Sequence, residues 1–211
     1  MKGELIYLPA EVRCDLLMDN YYRELMQEKL PAGLYRHSLG VAEAAVSLAG
    51  RFGADQKKAY LAGIVHDFGK CYSKSELRSK AEELDLQLDR ITLLEPRLLH
   101  APVGAALLQL ELGIEDGDIL RAVALHTTGH SDMNLLDKII YLADCIEDGR
   151  RYPGVDRIRD LARRDLDGAV LAAVERTIYA VLRRGMLLHP QSVSLRNSLL
   201  EKQAGDQSAR L

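Results

Sequence analysis

The sequence of 211 residues has no tryptophan, only two phenylalanines and only three cysteines. The cysteines, Cys14, Cys71 and Cys145, are isolated and odd in number. This usage indicates neither a disulfide framework nor the paired thiolates of a structural zinc site. It is typical of a reducing compartment, and we expect a cytoplasmic protein.

Long apolar runs and an excess of positive charge are also missing. No run approaches the roughly 18 residues of a membrane-spanning helix, and the N-terminus lacks the apolar region of a signal peptide. The formal net charge is −3, with a pI near 6.1. A duplex-binding protein usually carries a strong basic footprint, so we expect neither a nucleic acid partner nor a membrane partner.

The residues that are present predict one globular, all-α domain. Hydrophobic residues make up 47% of the chain, and a chain of 211 residues is long enough to form one hydrophobic core. Apolar and polar residues do not alternate with period two over any long stretch, whereas apolar residues recur with the spacing of a helix. We expect a lead-in over 1–8, a single helical bundle over 9–203 and a polar tail over 204–211. The predicted helices lie near 9–30, 34–52, 55–69, 74–84, 103–112, 119–126, 135–146, 155–163, 166–184 and from 190, fading near 205, with 85–98 ambiguous.

The stretch from Leu61 to Lys70 is an apolar run that ends in His66 and Asp67. Burying an imidazole and a carboxylate is costly unless something pairs with them. A metal ion would satisfy both, because neutral imidazole and carboxylate are standard ligands. The stretch therefore predicts a metal site.

Four further residues are candidate ligands: His37, His100, His126 and Asp144. The histidines lie at helix ends or on core-facing positions. Asp144 lies in the most apolar helix, with no salt-bridge partner three or four residues away. A lone histidine on an apolar face is more often a hydrogen-bonded core residue, and we leave His130 and His189 in that class.

Here the sequence resembles a known family. His37, His66-Asp67 and Asp144 match the H…HD…D signature of the HD-domain metal-dependent phosphohydrolases. Over about residues 10–198 the chain is similar to the bacterial YqeK family. The blocks that carry this resemblance are Tyr35-Arg-His-Ser-Leu-Gly-Val-Ala42, Leu61-Ala-Gly-Ile-Val-His-Asp67, Leu99-His-Ala-Pro-Val-Gly104, His126-Thr-Thr-Gly129, Lys138-Ile-Ile-Tyr-Leu-Ala-Asp144 and Gly149-Arg-Arg-Tyr-Pro-Gly-Val155.

The resemblance implies a hydrolase that cleaves diadenosine tetraphosphate symmetrically to two ADP, with two divalent metal ions in its site. One metal would be held by His37, His66, Asp67 and Asp144. His100 and His126 would hold the second, with Asp67 bridging. Iron is favoured, with manganese or zinc as alternatives. Asp67 would thus be catalytic, and paired metals polarise a phosphoryl oxygen and activate water.

A phosphate substrate needs cationic and backbone donors near the metals. Lys70 and Arg150 are the candidates for catalytic and substrate-binding roles, joined for binding by Arg36 and by the turn Thr127, Thr128 and Gly129. Each has an ordinary alternative. Lys70 could satisfy a helix dipole, Arg36 could be a solvated surface charge, and the turn could be a plain helix stop. Arg151 is the less favoured choice in the Gly149 loop.

Two positions depart from the family pattern. Asp148 stands where proline is common, and His130 stands where arginine is frequent. We interpret Asp137 as a surface partner of nearby lysines and leave it out of the site. Two other functions stay open: another HD-type phosphatase acting on nucleoside monophosphates or deoxynucleoside triphosphates, and a nucleotide sensor without turnover. The sequence also leaves a homodimer open.

Overall fold

The computed structural model describes the backbone of residues 10–208 and the side chains of residues 20–205. This part of the chain is built from α-helices and contains no strand, which confirms the all-α prediction. The expected lead-in over 1–8 lies outside it. The helices are α1 (Ala10–Lys29), α2 (Ala32–Phe52), α3 (Gln56–Val65), α4 (Lys74–Glu83), α5 (Arg90–Leu94), α6 (His100–Leu112), α7 (Gly117–Leu125), α8 (Leu135–Ile146), α9 (Val155–Ala162), α10 (Leu166–Arg183) and α11 (Pro190–Ser208).

Local capping signals place several helix starts where the sequence predicts them. The Asp55 carboxylate accepts from the first backbone N–H groups of α3. Ser73 and Glu76 form the predicted capping box at the start of α4, with each side chain bonded to the backbone of the other residue. Asp89 caps α5 in the region left ambiguous. These contacts satisfy N–H groups that a helix end would otherwise leave unpaired.

Two helix ends differ from the prediction. The α3 helix stops at Val65, and a separate 3₁₀ turn covers Phe68–Cys71. His66 and Asp67 therefore lie in the turn between these elements, where the helical repeat no longer fixes the direction of their side chains. At the other end of the chain, α11 continues through Gly205 to Ser208.

The core forms where α2 packs against α3 and α8, and where α7 packs against α6 and α8. Gly63 lets α2 and α3 approach closely, because a Cβ at this position would lie 2.7 Å from the Cα of Ala42. Gly69 does the same for the 3₁₀ turn, where a Cβ would lie 2.2 Å from the backbone oxygen of His100. Both approaches bring the candidate ligands of separate helices together.

The interpretation of Asp137 as a surface residue is wrong. Its side chain is fully buried, caps the start of α8 together with Asn134, and pairs with Arg121 at 3.0 Å. Burial raises the pKa of this carboxyl group. It remains outside the metal-ligand cluster.

None of the helices in the described part of the chain combines the length and the apolar character that crossing a bilayer requires.

Candidate metal centre

Asp67 is the centre of a cluster of four histidines, of which three are buried and His37 is partly exposed. His37 comes from α2, His66 follows the last residue of α3, His100 begins α6, and His126 follows α7. The side chains of His66 and Asp67 are completely buried. The structure thus gathers five of the six predicted metal ligands, namely Asp67 and the four histidines around it.

Three of these imidazole rings are oriented by the same kind of contact. In each, Nδ1 lies 2.7 Å from the backbone oxygen three residues earlier, and a carbonyl can only accept, so Nδ1 carries the hydrogen. The other ring nitrogen, Nε2, then presents a lone pair when the ring is neutral. The pairs are His66 with Gly63, His100 with Arg97, and His126 with Val123.

The Nε2 atoms converge on the two oxygens of Asp67. Asp67 Oδ2 lies 3.3 Å from Nε2 of His66 and 3.8 Å from Nε2 of His37. Asp67 Oδ1 lies 3.4 Å from Nε2 of His100 and 3.6 Å from Nε2 of His126. Each carboxylate oxygen therefore faces a different pair of histidines.

This arrangement fits divalent cations. Nε2 of His100 lies 3.1 Å from Nε2 of His126. Because both Nδ1 atoms are already donors, two neutral rings would turn lone pairs toward each other, and a buried cation relieves that repulsion. Nε2 of His66 and Oδ1 of Asp67 are among the buried side-chain atoms of the described residues that have no hydrogen-bond partner, and both face the cluster. A bound cation would pair with both atoms.

Two ligand groups share Asp67. One consists of His37, His66 and Asp67, and the other of Asp67, His100 and His126, with the donor atoms of each group within 4.8 Å of one another. Imidazole and carboxylate donors without thiolate suit iron, manganese or zinc. The division of histidines between two groups agrees with the one that the family resemblance implies.

Asp144 lies beside the first group and pairs with His37 and Arg150. Its Oδ1 is 2.9 Å from Nε2 of His37 and contacts Nη2 of Arg150. Burial raises the pKa of Asp144, but His37 and the Arg150 guanidinium outweigh this and hold that pKa well below its usual range. Residues one helical turn from Asp144 offer it no partner, whereas the loop after α8 returns Arg150 to the helix end.

Burial and the neighbouring charges shift the pKa values of Asp67 and His66 in opposite directions. Burial would raise the pKa of Asp67, but His66, His100 and His126 hold it well below the ordinary value. Burial lowers the pKa of His66, and the Asp67 carboxylate more than offsets this, so the pKa of His66 is raised. Burial lowers the pKa of His126, which favours its neutral, metal-binding form.

Glu147 is a residue of the site that the sequence analysis missed. Its carboxylate is buried, with Oε1 at 3.1 Å from Nδ1 of His37 and Oε2 accepting from the backbone N–H of Gly149. A Cβ on Gly40 would lie 2.7 Å from Oε2, so glycine leaves room for this carboxylate. Glu147 thus gives His37 the orienting contact that backbone carbonyls give the other histidines. Its only sequence signal was its place in the loop that also carries Arg150.

Replacing Glu147 with alanine should lower the affinity for metal at the His37 group by about tenfold to a hundredfold, because the ring loses the acceptor that fixes its tautomer. Glu43→Ala is the matched control, since Glu43 is an exposed carboxylate of α2 that lines the same cavity as His37 and Glu147. Metal titration in competition with a chelating dye measures both. Equal affinities in the two variants would contradict the orienting role.

The predicted phosphate-binding cations lie around the cluster. Nζ of Lys70 is 2.7 Å from Oδ2 of Asp67, and its side chain is 40% exposed. Arg36 and Arg150 line a cavity of about 880 Å³ next to His37. Arg151 lines the same cavity, but it is exposed and donates to the backbone oxygens of Asp148 and Arg150.

The turn Thr127, Thr128 and Gly129 makes the contacts of a helix end. The N–H of Gly129 donates to the Leu125 oxygen at 2.8 Å, and the Thr128 hydroxyl donates to the Gly129 oxygen at 3.2 Å. Gly129 has a φ of 66° and packs against Leu195. A role of these residues in substrate binding stays a prediction.

Comparison with known proteins agrees with this geometry. The HD domain family model matches residues 34–149. The protein named "Bis(5'-nucleosyl)-tetraphosphatase, symmetrical" from Halalkalibacterium halodurans is 43% identical over 180 residues, covering 85% of this chain and 96% of that protein. The protein of the same name from Bacillus subtilis is 40% identical over 178 residues, covering 83% and 94%.

A solved structure has the same fold. The crystal structure of a "predicted HD superfamily hydrolase involved in NAD metabolism" from Clostridium acetobutylicum superposes with a TM-score of 0.83 at 37% identity, covering 87% of this chain and 97% of that one. The family match includes His37, both residues of the central His66-Asp67 pair and Asp144. The chain therefore belongs to the HD-domain family, in the YqeK-type group that contains these relatives.

Proposed function

We propose that this protein is a metal-dependent hydrolase that cleaves diadenosine tetraphosphate at its centre to give two ADP, and that it acts in the cytoplasm. The observation that carries the proposal is the convergence of four histidine Nε2 atoms on the two oxygens of Asp67. The names of relatives that match nearly their whole length support the substrate.

His37, His66, Asp67 and Asp144 would hold one divalent ion, and His100, His126 and the shared Asp67 would hold the other. We place iron first because the sequence resembles the YqeK family, and manganese or zinc would suit the same donors. The chemistry that such ions supply when bound is polarisation of a phosphoryl oxygen and a lower pKa for water.

The reaction adds one water to the substrate. The water oxygen bonds to one of the two central phosphorus atoms, and the bond from that phosphorus to the bridging oxygen breaks. The bridging oxygen leaves on the second ADP, and the proton lost by the water goes to solvent.

The chain's own cations hold the phosphates during this step. Lys70 lies against Asp67 and can reach a phosphate oxygen close to the reacting atom. Arg150, placed between His37 and Asp144, can bind a phosphate through two N–H groups, and Arg36 can bind one nearer the cavity mouth. These donors stabilise charge that grows on the phosphoryl oxygens as the bond breaks.

Product analysis with metal-loaded protein tests the proposed function. Diadenosine tetraphosphate should give ADP as the sole nucleotide product, without inorganic phosphate. Release of phosphate from nucleoside monophosphates or deoxynucleoside triphosphates, with diadenosine tetraphosphate left intact, would assign the other HD-type chemistry. Binding without turnover of any of these substrates would assign a sensor.

Metal affinity should fall as the pH is lowered, since protons and metal compete for the same Nε2 lone pairs. The pKa of His66 is raised, so in the metal-free protein this ring takes up a proton at a higher pH than His126, and the loss of metal affinity begins above the ordinary imidazole value of about 6.5. His126, with its lowered pKa, stays neutral to lower pH. Metal titrations between about pH 8 and about pH 5 measure this, and a constant affinity would contradict histidine ligation.

A further inference from the structure

The metal centre opens into two separate cavities. The His37 cavity, of about 880 Å³, is lined by His37, Arg36 and Arg150 among others. The His100 cavity, of about 420 Å³, is lined by His100 and Lys70 among others. These histidines belong to the two different ligand groups that share Asp67. The ligand group of His37 therefore borders one cavity, and the ligand group of His100 borders the other.

The His100 cavity is strongly basic. Its lining includes Lys70, Lys74 and Arg97 and no carboxylate, although the whole chain has a net charge of −3. Asp67 pairs with Lys70 and Glu95 pairs with Arg97, but neither carboxylate lines the cavity, so the cations in its lining attract an anionic ligand. The position of Lys70, with Nζ 2.7 Å from Asp67 Oδ2, extends this charge to the metal centre.

The two outer cations of the cavity, Lys74 and Arg97, are both exposed. Lys74 is the first residue of α4, at the positive end of the helix, where acidic residues are favoured and a lysine is not. Arg97 is exposed and is held by Glu95 through a two-point contact at 2.8 and 3.1 Å. A guanidinium has five N–H donors, so this contact orients Arg97 without exhausting them.

The remaining wall of the His100 cavity is less polar. Tyr72, Leu77 and Pro96 complete its lining. A cavity that offers both cations and an aromatic ring with aliphatic groups suits a nucleoside phosphate, which has a charged part and an aromatic part. Both cavities have the volume of ordinary small-molecule sites, roughly 300–1,000 Å³.

We propose that the His100 cavity binds one nucleoside diphosphate half of the substrate while the His37 cavity binds the other, so that the central phosphates lie over Asp67. This inference rests on the proposed function. It also gives a reason for symmetrical cleavage. A tetraphosphate chain held at both ends by cations presents only its middle to the metals, and hydrolysis there gives equal products.

ADP binding to metal-loaded protein tests the two half-sites without turnover. Isothermal titration should find two ADP per chain. In Lys74→Glu/Arg97→Glu it should find one, because the charge of the His100 cavity is reversed while the backbone oxygen of Arg97 that orients His100 is kept. Arg78→Glu/Arg90→Glu is the matched control, since these exposed arginines of α4 and α5 give the same charge change outside the cavity lining. The control should bind two.

Kinetics with diadenosine tetraphosphate give a second measure. The KM of Lys74→Glu/Arg97→Glu should rise by about tenfold or more, with metal content unchanged. Lys74→Gln, a single change at the exposed start of α4, should show a smaller rise in KM. This variant keeps the test valid if the double variant does not fold.

The outcomes separate this inference from the proposed function. One ADP per chain in the unmodified protein, or two in the cavity variant with an unchanged KM, overturns the second half-site even if diadenosine tetraphosphate is cleaved to ADP. Two ADP per chain, with one lost in the cavity variant, supports the half-site even if the tetraphosphate is not cleaved and the proposed function fails.

Discussion

Replacing Asp67 with alanine is expected to remove bound metal and hydrolytic activity together. Asp67 is the residue that both ligand groups share, and its two oxygens face four histidine Nε2 atoms. Without it, the histidines have no common anion to balance the charge of two cations. We expect activity to fall at least about a thousandfold, equivalent to about 4 kcal/mol of transition-state stabilisation. Metal analysis and steady-state kinetics on the same preparation measure both effects.

The control for this variant is Asp137→Asn. Asp137 is also a fully buried carboxylate, but it caps α8 and pairs with Arg121 instead of facing the histidines. Its loss should lower thermal stability and leave metal content and activity per folded molecule unchanged. An Asp67→Ala protein that keeps its metal and remains active would contradict the assignment of the metal centre.

Replacing Arg150 with alanine is expected to lower kcat/KM by roughly tenfold to a thousandfold, or about 1.4–4 kcal/mol, while metal stays bound. The guanidinium lies between His37 and Asp144, so it can stabilise charge on a phosphoryl oxygen beside the metals. It competes with a cation for the Asp144 carboxylate. Its removal therefore frees a ligand and takes none away.

Two further variants test the geometry of this contact. Arg150→Lys should recover only part of the loss, because an ammonium cannot make the planar two-point contact. Arg151→Ala should have little effect, since that side chain is exposed and donates to backbone oxygens of its own loop. Kinetics with metal content checked in each variant decide the matter. If Arg151→Ala were the impaired protein, the roles of the two arginines would be reversed.

Several predictions that depended on neighbours in sequence agree with the structure. The capping box of Ser73 and Glu76 and the Asp55 cap need only residues two or three positions apart, so their chemistry can be read from the chain. The apolar run before His66 likewise predicted a buried imidazole and carboxylate, although the helix ends at Val65 and not near Gly69. The resemblance then extended this pair to a ligand set, of which the structure gathers His37, His66, Asp67, His100 and His126.

Contacts between distant segments were decided only by the tertiary structure. Glu147 reaches His37 across 110 positions of sequence, so no periodicity links them. The loop after α8 turns Arg150 back onto Asp144, a return that depends on loop geometry and not on helical repeat. The His37 cavity and the His100 cavity likewise form where α2 meets that loop and where α4 approaches the start of α6. The sequence by itself therefore predicted the candidate metal ligands, because ligand chemistry belongs to residue types. Packing determined how they are oriented and where a substrate can reach them, because orientation and access depend on several helices at once.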